Sequence, residues 1–280
     1  MTEVPLEYLL SFVEEDAPSG DITTDAIIPP DTCCKAMIIA KEEGIICGLS
    51  EAERLFTHFG VQVTQVCPDG APVKRGEFVL SLKGDASGIL LVERTALNII
   101  GRMSGIATKT KSCMDQIRSL GSNCRVAATR KTSPGMRLLD KKAVMLGGGD
   151  PHRNSLSDGV LIKDNHLVLV SLPGSIASAK ARSHYRKIEV EVEDPDSAVT
   201  AAEAGADIIM LDNMTPEIVV RTLGELNSRN LRSGRVIEVS GTISEDSIKN
   251  YAIPGVDVIS IGALTHSVRN FDVSLEIIRP

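Results

Sequence analysis

Hydrophobic and polar positions change rhythm near Gly105. Over residues 5–15 apolar residues recur at helical spacing with acidic residues between them, and Ala17-Pro18-Ser19-Gly20-Asp21 reads as the loop that ends this helix. Strand-like alternation follows over 34–40, where Ala36, Ile38 and Ala40 share a face, then over 45–47 and 61–66. Gly84-Asp85-Ala86 is expected to turn the chain into a helix over 87–100, whose Ile89, Leu90, Val92, Ala96, Leu97 and Ile100 form a broad apolar stripe. Strands with interspersed helices predict a small α+β unit here.

After Gly105 short apolar runs alternate with helical stretches. The runs are 126–128, 160–162, 188–192, 208–211, 236–239 and 256–261. An Ala-rich helix over 196–204 has an acidic start and is followed by Gly205, a residue suited to a helix C-terminus. Another helix begins at Pro216, a favoured first-turn residue. Repeated β/α units demand parallel pairing. Six runs are short of a complete eight-stranded barrel, which takes about 250 residues, so an incomplete barrel and a doubly wound sheet both remain open.

Composition narrows the function. The chain has 280 residues and a net charge of −7, with no Trp and few Tyr or Phe, which argues against a nucleic-acid partner. No apolar run is long enough to span a bilayer, and residues 1–16 lack the pattern of a secretory signal, so a cytoplasmic location is expected. The six cysteines show no Cys-x-x-Cys spacing and read as reduced and structural.

Charge is distributed unevenly. Residues 94–166 hold 13 Lys/Arg against 5 Asp/Glu, a balance of +8, so the rest of the chain carries −15. Fixed cations at this density suit a small, multiply anionic ligand. Polar residues also follow the apolar runs, where β/α proteins place their sites. Thr129, Arg130 and Lys131 follow the first run, Lys163 the second, Asp212 the fourth, Ser240-Gly241 the fifth and Gly262-Ala263 the last. Gly147-Gly148-Gly149 and His152-Arg153 lie between the first two runs. Taken singly, Arg130-Lys131 could be a solvated loop, the glycines a helix exit and His152 a structural residue. Lys163 needs a partner at a strand end, whether Asp164, Asp212 or a ligand. Glu189, Glu191 and Glu193 share one strand face and call for cations, water or a metal, unless that strand is a solvated edge. Asp212 ends the next strand, and with Glu191 it would suit hydroxyl groups and Mg²⁺ on a phosphate-bearing ligand.

These residues resemble those of the quinolinate phosphoribosyltransferases. The resemblance runs through Gly20-Asp21-Ile22-Thr23-Thr24, Glu93-Arg94-Thr95-Ala96-Leu97-Asn98, Thr129-Arg130-Lys131-Thr132 and Gly147-Gly148-Gly149 with His152-Arg153. It continues through Leu161-Ile162-Lys163-Asp164-Asn165-His166, Glu189-Val190-Glu191-Val192, Leu211-Asp212-Asn213, Glu238-Val239-Ser240-Gly241 and Gly262-Ala263-Leu264-Thr265. It implies an N-terminal α/β sandwich domain over 1–106 and an incomplete α/β (TIM-like) barrel over 107–280. It implies a pentosyltransferase that converts quinolinate and phosphoribosyl pyrophosphate to nicotinate mononucleotide, pyrophosphate and CO₂ with Mg²⁺, in de novo NAD synthesis. By the same resemblance, Arg94, Thr129, Arg130, His152, Arg153 and Lys163 bind quinolinate, with Arg94 donated across a homodimer. Lys131, Glu191 and Asp212 are catalytic. Lys131, Lys163, Glu191, Asp212, Ser240, Gly241, Gly262 and Ala263 hold phosphoribosyl pyrophosphate, and Mg²⁺ rides mainly on its pyrophosphate, with Glu191 and Asp212 nearby. The chain departs from many members at Ala128, where Asp is common, and at Pro151, where Asn is common. Both changes also occur in a paralogous group associated with molybdenum transport. A non-catalytic anion binder and a Schiff-base lyase using Lys163 are alternatives from other classes.

Overall fold

A computed structural model describes residues 3–278. The elements in order are α1 (Leu6–Asp16), α2 (Ile22–Ile27), β1 (Cys33–Ala40), β2 (Gly44–Ile45), α3 (Leu49–His58), β3 (Gln62–Gln65), β4 (Pro72–Val73), β5 (Phe78–Asp85) and α4 (Ala86–Arg118). Then come β6 (Arg125–Ala127), α5 (Arg137–Leu146), β7 (Val160–Ile162), α6 (Asp164–Leu167), α7 (Leu172–Arg182), β8 (Ile188–Val192), α8 (Pro195–Ala204), β9 (Ile208–Asp212) and α9 (Pro216–Ser228). The chain ends with β10 (Val236–Ser240), a 3₁₀ turn (Ile248–Tyr251), β11 (Val258–Ser260), α10 (Ala263–His266) and β12 (Val273–Ile278).

Packing divides the chain into two units. One comprises residues 1–111, 133–148 and 267–280, the other 112–132 and 149–266. The division anticipated at 106/107 falls within α4, and α5 and the C-terminal segment pack with the first unit. That unit holds an antiparallel sheet of order β12-β1-β5-β3. Two expectations are corrected there. Gly84-Asp85-Ala86 is not a turn: β5 continues to Asp85 because Cys34 pairs with Gly84 and Cys33 with Asp85. Gly84 is needed for close approach, since a Cβ there would lie 3.1 Å from Cα of Val61. The helix expected over 87–100 instead runs 33 residues. Gly101 and Gly105 do not stop it; they admit the backbone of the C-terminal segment, and Phe271 donates its N–H to the Gly101 carbonyl at 2.8 Å.

The second unit carries a parallel six-stranded sheet of order β6-β11-β10-β9-β8-β7, its strands matching the six apolar runs. This order decides between the two architectures left open. Strands β7 to β11 are neighbours in chain order and β6 lies beside β11, so the sheet follows a ring missing only the β6–β7 contact. A doubly wound sheet would reverse its order partway. Beside β6, Asp150 forms a parallel bridge with Ala127, which partly fills the gap. The outward residues Val190, Val192, Ile209, Leu211, Ile237, Val239 and Ile259 form the core with Ala198, Ala201 and Ala202 of α8 and Val219, Leu223 and Leu226 of α9. Asp194 caps α8 by accepting the Ser197 N–H, Gly205 ends it at φ 88°, and Thr215 caps α9 ahead of Pro216.

Glycine geometry yields a paired test. A Cβ at residue 105 would lie 2.1 Å from the Arg269 carbonyl oxygen, whereas one at Gly224, exposed within α9, meets nothing within 4 Å. Gly105→Ala is expected to lose about 1–3 kcal/mol or more by overpacking. Gly224→Ala should gain up to about 1 kcal/mol from helix propensity. Denaturant midpoints of the two variants should therefore move in opposite directions.

Candidate functional site

Parallel strands end on one side of a sheet, so the residues that close each apolar run meet at a common rim. A cavity of about 350 Å³ opens there. Thr129, Arg130 and Lys131 enter from the end of β6, Lys163 from β7, Glu191 from β8, Asp212 from β9, Ser240 from β10 and Ser260 from β11. His152 and Arg153 come from the connection that crosses the gap, and Leu161 and Met210 add apolar surface. Strand order arranges the charges. The segments on either side of the gap and within it carry Arg130, Lys131, His152, Arg153 and Lys163. Continuing round the ring come the carboxylates of Glu191 and Asp212, then the hydroxyls of Ser240 and Ser260.

Local structure holds these side chains. Thr129 Oγ1 accepts the Lys131 N–H at 3.1 Å, and the Lys131 carbonyl accepts from Thr265 Oγ1 at 2.9 Å. His166 Nδ1 accepts the Lys163 N–H at 2.9 Å, which accounts for the histidine in the Lys-Asp-Asn-His turn. Lys163 Nζ donates to Glu191 Oε2, so the partner that lysine requires is Glu191 rather than Asp164 or Asp212. Asn213, at φ 54°, donates from Nδ2 to Asp212 Oδ2 at 2.7 Å. Gly241 sits at φ 128° against Asn213, where a Cβ would come within 2.6 Å of Oδ1.

Electrostatically the site is set for an anion. Burial first, and the neighbouring Arg130 charge second, pull the Arg153 guanidinium below its ordinary value. Arg130 Nε is buried without a hydrogen-bond partner. Guanidiniums at this rim present planar donor pairs suited to a carboxylate or phosphate. Below them, strand β8 lies between β7 and β9, so it is not a solvated edge, and cations answer two of its glutamates. Glu191 meets Lys163, while Glu189 Oε2 lies 3.4 Å from His152 Nε2, with Glu238 Oε1 3.5 Å from the same nitrogen. Glu193 is exposed.

Burial opposes charge on His152, but hydrogen bonds to Glu189 and Glu238, with their charges, outweigh it and push its pKa up to about 9. The Arg153 N–H aimed at Nδ1 works against a second ring proton. Burial pushes the Glu189 carboxyl up, against the hydrogen bond from His152.

Of the residues singled out in the sequence, Thr129, Arg130, Lys131, His152, Arg153, Lys163, Glu191, Asp212 and Ser240 line the cavity together. Gly241, Gly262 and Ala263 follow β10 and β11 without lining it. Arg94 lies in the first unit, exposed on α4. Leu161, Met210, Glu238 and Ser260 were not anticipated. Their signal was available in part, because Glu238 and Ser260 are polar residues inside apolar runs at the spacing that faces the barrel interior.

Comparison with known proteins covers the whole chain. A family model described as quinolinate phosphoribosyl transferase, N-terminal domain, matches residues 21–104, and its C-terminal counterpart matches 106–276. A protein of Methanothermobacter thermautotrophicus named probable nicotinate-nucleotide pyrophosphorylase (carboxylating) is 46% identical over 97% of this chain and 98% of its own length. The nicotinate-nucleotide pyrophosphorylase (carboxylating) of Mycobacterium leprae is 37% identical over 95% of this chain and 94% of its own. A crystal structure of the nicotinate-nucleotide pyrophosphorylase of Ehrlichia chaffeensis superposes with a TM-score of 0.92 at 32% identity, covering 99% of this chain and 100% of that one.

The placement of Arg130 at this rim makes a prediction. Arg130→Gln should leave the melting midpoint unchanged or raised, while losing most of the stabilisation that a small aromatic dicarboxylate confers on the unaltered protein. A midpoint lowered by several degrees without ligand would mean that Arg130 serves the fold instead.

Proposed function

The chain belongs to the quinolinate phosphoribosyl transferase family, and from that premise we propose how its rim pocket performs the reaction. The enzyme joins quinolinate to the phosphoribosyl group of phosphoribosyl pyrophosphate and releases pyrophosphate and CO₂, leaving nicotinate mononucleotide. The observation that carries the assignment of roles is that Arg130, Lys131, Arg153 and Lys163 line one cavity around the gap, with carboxylates further round the same ring.

Quinolinate carries two adjacent carboxylates. Arg130, Arg153 and Lys163, with Thr129, receive them, and Leu161 and Met210 offer apolar surface to the ring. Lys131 meets phosphoribosyl pyrophosphate. Asp212 and Glu191 accept from its ribose hydroxyls, while Ser240, Gly241, Gly262 and Ala263 stand where late barrel loops take a phosphate. Lys163 Nζ donates to Glu191 Oε2, so the two ends of the pocket meet at this pair. Glu191 and Asp212 are hard oxygen donors lining one cavity and fit Mg²⁺, which when bound would offset the charge of the departing pyrophosphate.

The chain's own contribution is positioning and charge placement. The pyridine nitrogen is aimed at the anomeric carbon; its electron pair forms the new bond as the bond to pyrophosphate breaks. The quaternised nitrogen then accommodates the electron pair left on the adjacent ring carbon when the carboxylate departs as CO₂, and a proton completes that carbon. The departures at Ala128 and Pro151 lie outside the cavity lining, and Ala128 is fully buried. The intact Lys163-Asp164-Asn165-His166 stretch, with Arg130, Lys131, Arg153, Glu191 and Asp212, favours this activity over the molybdenum-associated paralogues. The carboxylates in the pocket disfavour a plain anion binder, and the Glu191 partner of Lys163 disfavours a Schiff-base lysine.

Purified protein given quinolinate, phosphoribosyl pyrophosphate and Mg²⁺ should form nicotinate mononucleotide with one CO₂ per turnover, and Lys131→Ala should abolish turnover without changing the melting midpoint. An active Lys131→Ala enzyme contradicts the role given to that lysine. We also propose a homodimer in which exposed Arg94 enters the pocket of the other subunit. Arg94→Ala and Lys131→Ala enzymes, each inactive alone, should regain activity when their subunits are exchanged. Absence of recovery in confirmed mixed dimers would place Arg94 in its own subunit's chemistry.

A further inference from the structure

Pairing between β6 and β11 ends at Ala127 with Ser260, where the Ile261 N–H closes on the Ala127 carbonyl at 2.9 Å. The loop that follows β6 carries Lys131, and one buried side chain from the other strand's exit reaches it. Thr265, on α10, is fully buried, and its hydroxyl donates to the Lys131 carbonyl at 2.9 Å across 134 positions of sequence. A helical threonine commonly satisfies its hydroxyl on its own turn. Here the Gly262 carbonyl lies farther off, at 3.3 Å, and already accepts the Thr265 N–H at 3.1 Å, so the single hydroxyl proton goes to Lys131.

The side chain of Lys131 follows the same turn. A Cβ at Gly262 would come within 3.2 Å of Lys131 Cδ, so the bare glycine makes room for the lysine stem. The backbone of Lys131 is thus tied to α10 by its carbonyl, its stem lies against the turn that starts α10, and the residue lines the rim cavity. Thr129 Oγ1 also accepts the Lys131 N–H, at 3.1 Å, but that bond lies within the loop. It shapes the loop without anchoring it, whereas the Thr265 bond joins the loop to the other end of the catalytic half.

We infer that Thr265 is a positioning residue for Lys131: its hydroxyl holds the lysine backbone so that the ammonium is presented to phosphoribosyl pyrophosphate with little left to order. The inference rests on the reading above in which Lys131 meets that substrate. Thr265 does not itself line the cavity. A lysine side chain loses rotamer freedom when it engages a ligand, and a backbone fixed beforehand lowers the total cost of ordering. Quinolinate should notice little, because the Arg130 side of the loop has its own support in the Ala128 N–H, which donates to the Asp150 carbonyl at 2.9 Å.

The test is calorimetric binding of phosphoribosyl pyrophosphate with Mg²⁺, and separately of quinolinate, to the full chain. Lys131→Ala comes first and should weaken phosphoribosyl pyrophosphate about tenfold or more. Unchanged affinity there would refute the role of Lys131, and the inference with it. Thr265→Val keeps the shape and removes the hydroxyl; it should weaken phosphoribosyl pyrophosphate about three- to tenfold and leave quinolinate within about twofold. Thr265→Ser, which restores the hydroxyl, should return to within about twofold of the unaltered chain. Adding Thr265→Val to Lys131→Ala should weaken binding no further, because the threonine acts through the lysine. Should Thr265→Val not fold, Thr265→Ala, which sets no methyl group beside the carbonyl, carries the same expectations. A further loss in the double variant would show that Thr265 serves the Gly262-Ala263 turn instead and would overturn the inference. So would unchanged affinity without the hydroxyl, equal losses for both ligands, or no recovery with serine.

Discussion

Parallel pairing is the constraint from which the rest follows. When every strand of a sheet runs the same way, every strand exit lies on the same side, whatever the distance between strands in sequence. Residues as far apart as Arg130 and Ser260 thus become neighbours round one cavity. The ring order then separates the charges. Cations gather on the two strands that flank the gap and on the segment crossing it, while carboxylates stand on the strands that follow. In the proposed reading the cationic side takes a pyridine diacid and the side with the carboxylates takes an activated sugar.

Assembling the cations has an electrostatic cost. Burial first, and the nearby Arg130 charge second, lower the Arg153 guanidinium from its ordinary value. The chain partly offsets this with buried acids. Glu191 holds Lys163, and Glu189 and Glu238 hold His152 beneath the guanidiniums. Taking one partner from a buried pair is more damaging than never having built the pair, so the acids are as much part of the site as the bases they hold.

Much of the catalytic half was legible in the chain, and the reason is physical. Buried parallel strands are short uninterrupted apolar runs, and the polar residue after each run marks its exit. Val160-Leu161-Ile162 followed by Lys163, and Leu211 followed by Asp212, could be placed at the rim without coordinates. Ring closure could not, because it depends on β6 finding β11, which lies more than a hundred residues away. The first unit was less legible for the same reason. Its β12 reaches back to pair Ile278 with Lys35, and β5 hides its extent behind a glycine that resembles a turn. Gly20-Asp21-Ile22-Thr23-Thr24 was readable as a family signature but not as structure. Its Asp21 caps α2, accepting the Thr23 and Thr24 N–H groups. The approach of Glu189 and Glu238 to His152 was hidden because nothing in the order of residues shows that these two carboxylates converge on one ring.

The most direct test of the central claim is a crystal structure of the protein soaked with quinolinate. The account predicts density for the diacid between Arg130, Arg153 and Lys163, its ring against Leu161 and Met210. Quinolinate bound elsewhere, or lying in this cavity with its carboxylates turned toward Glu191 and Asp212, would contradict it.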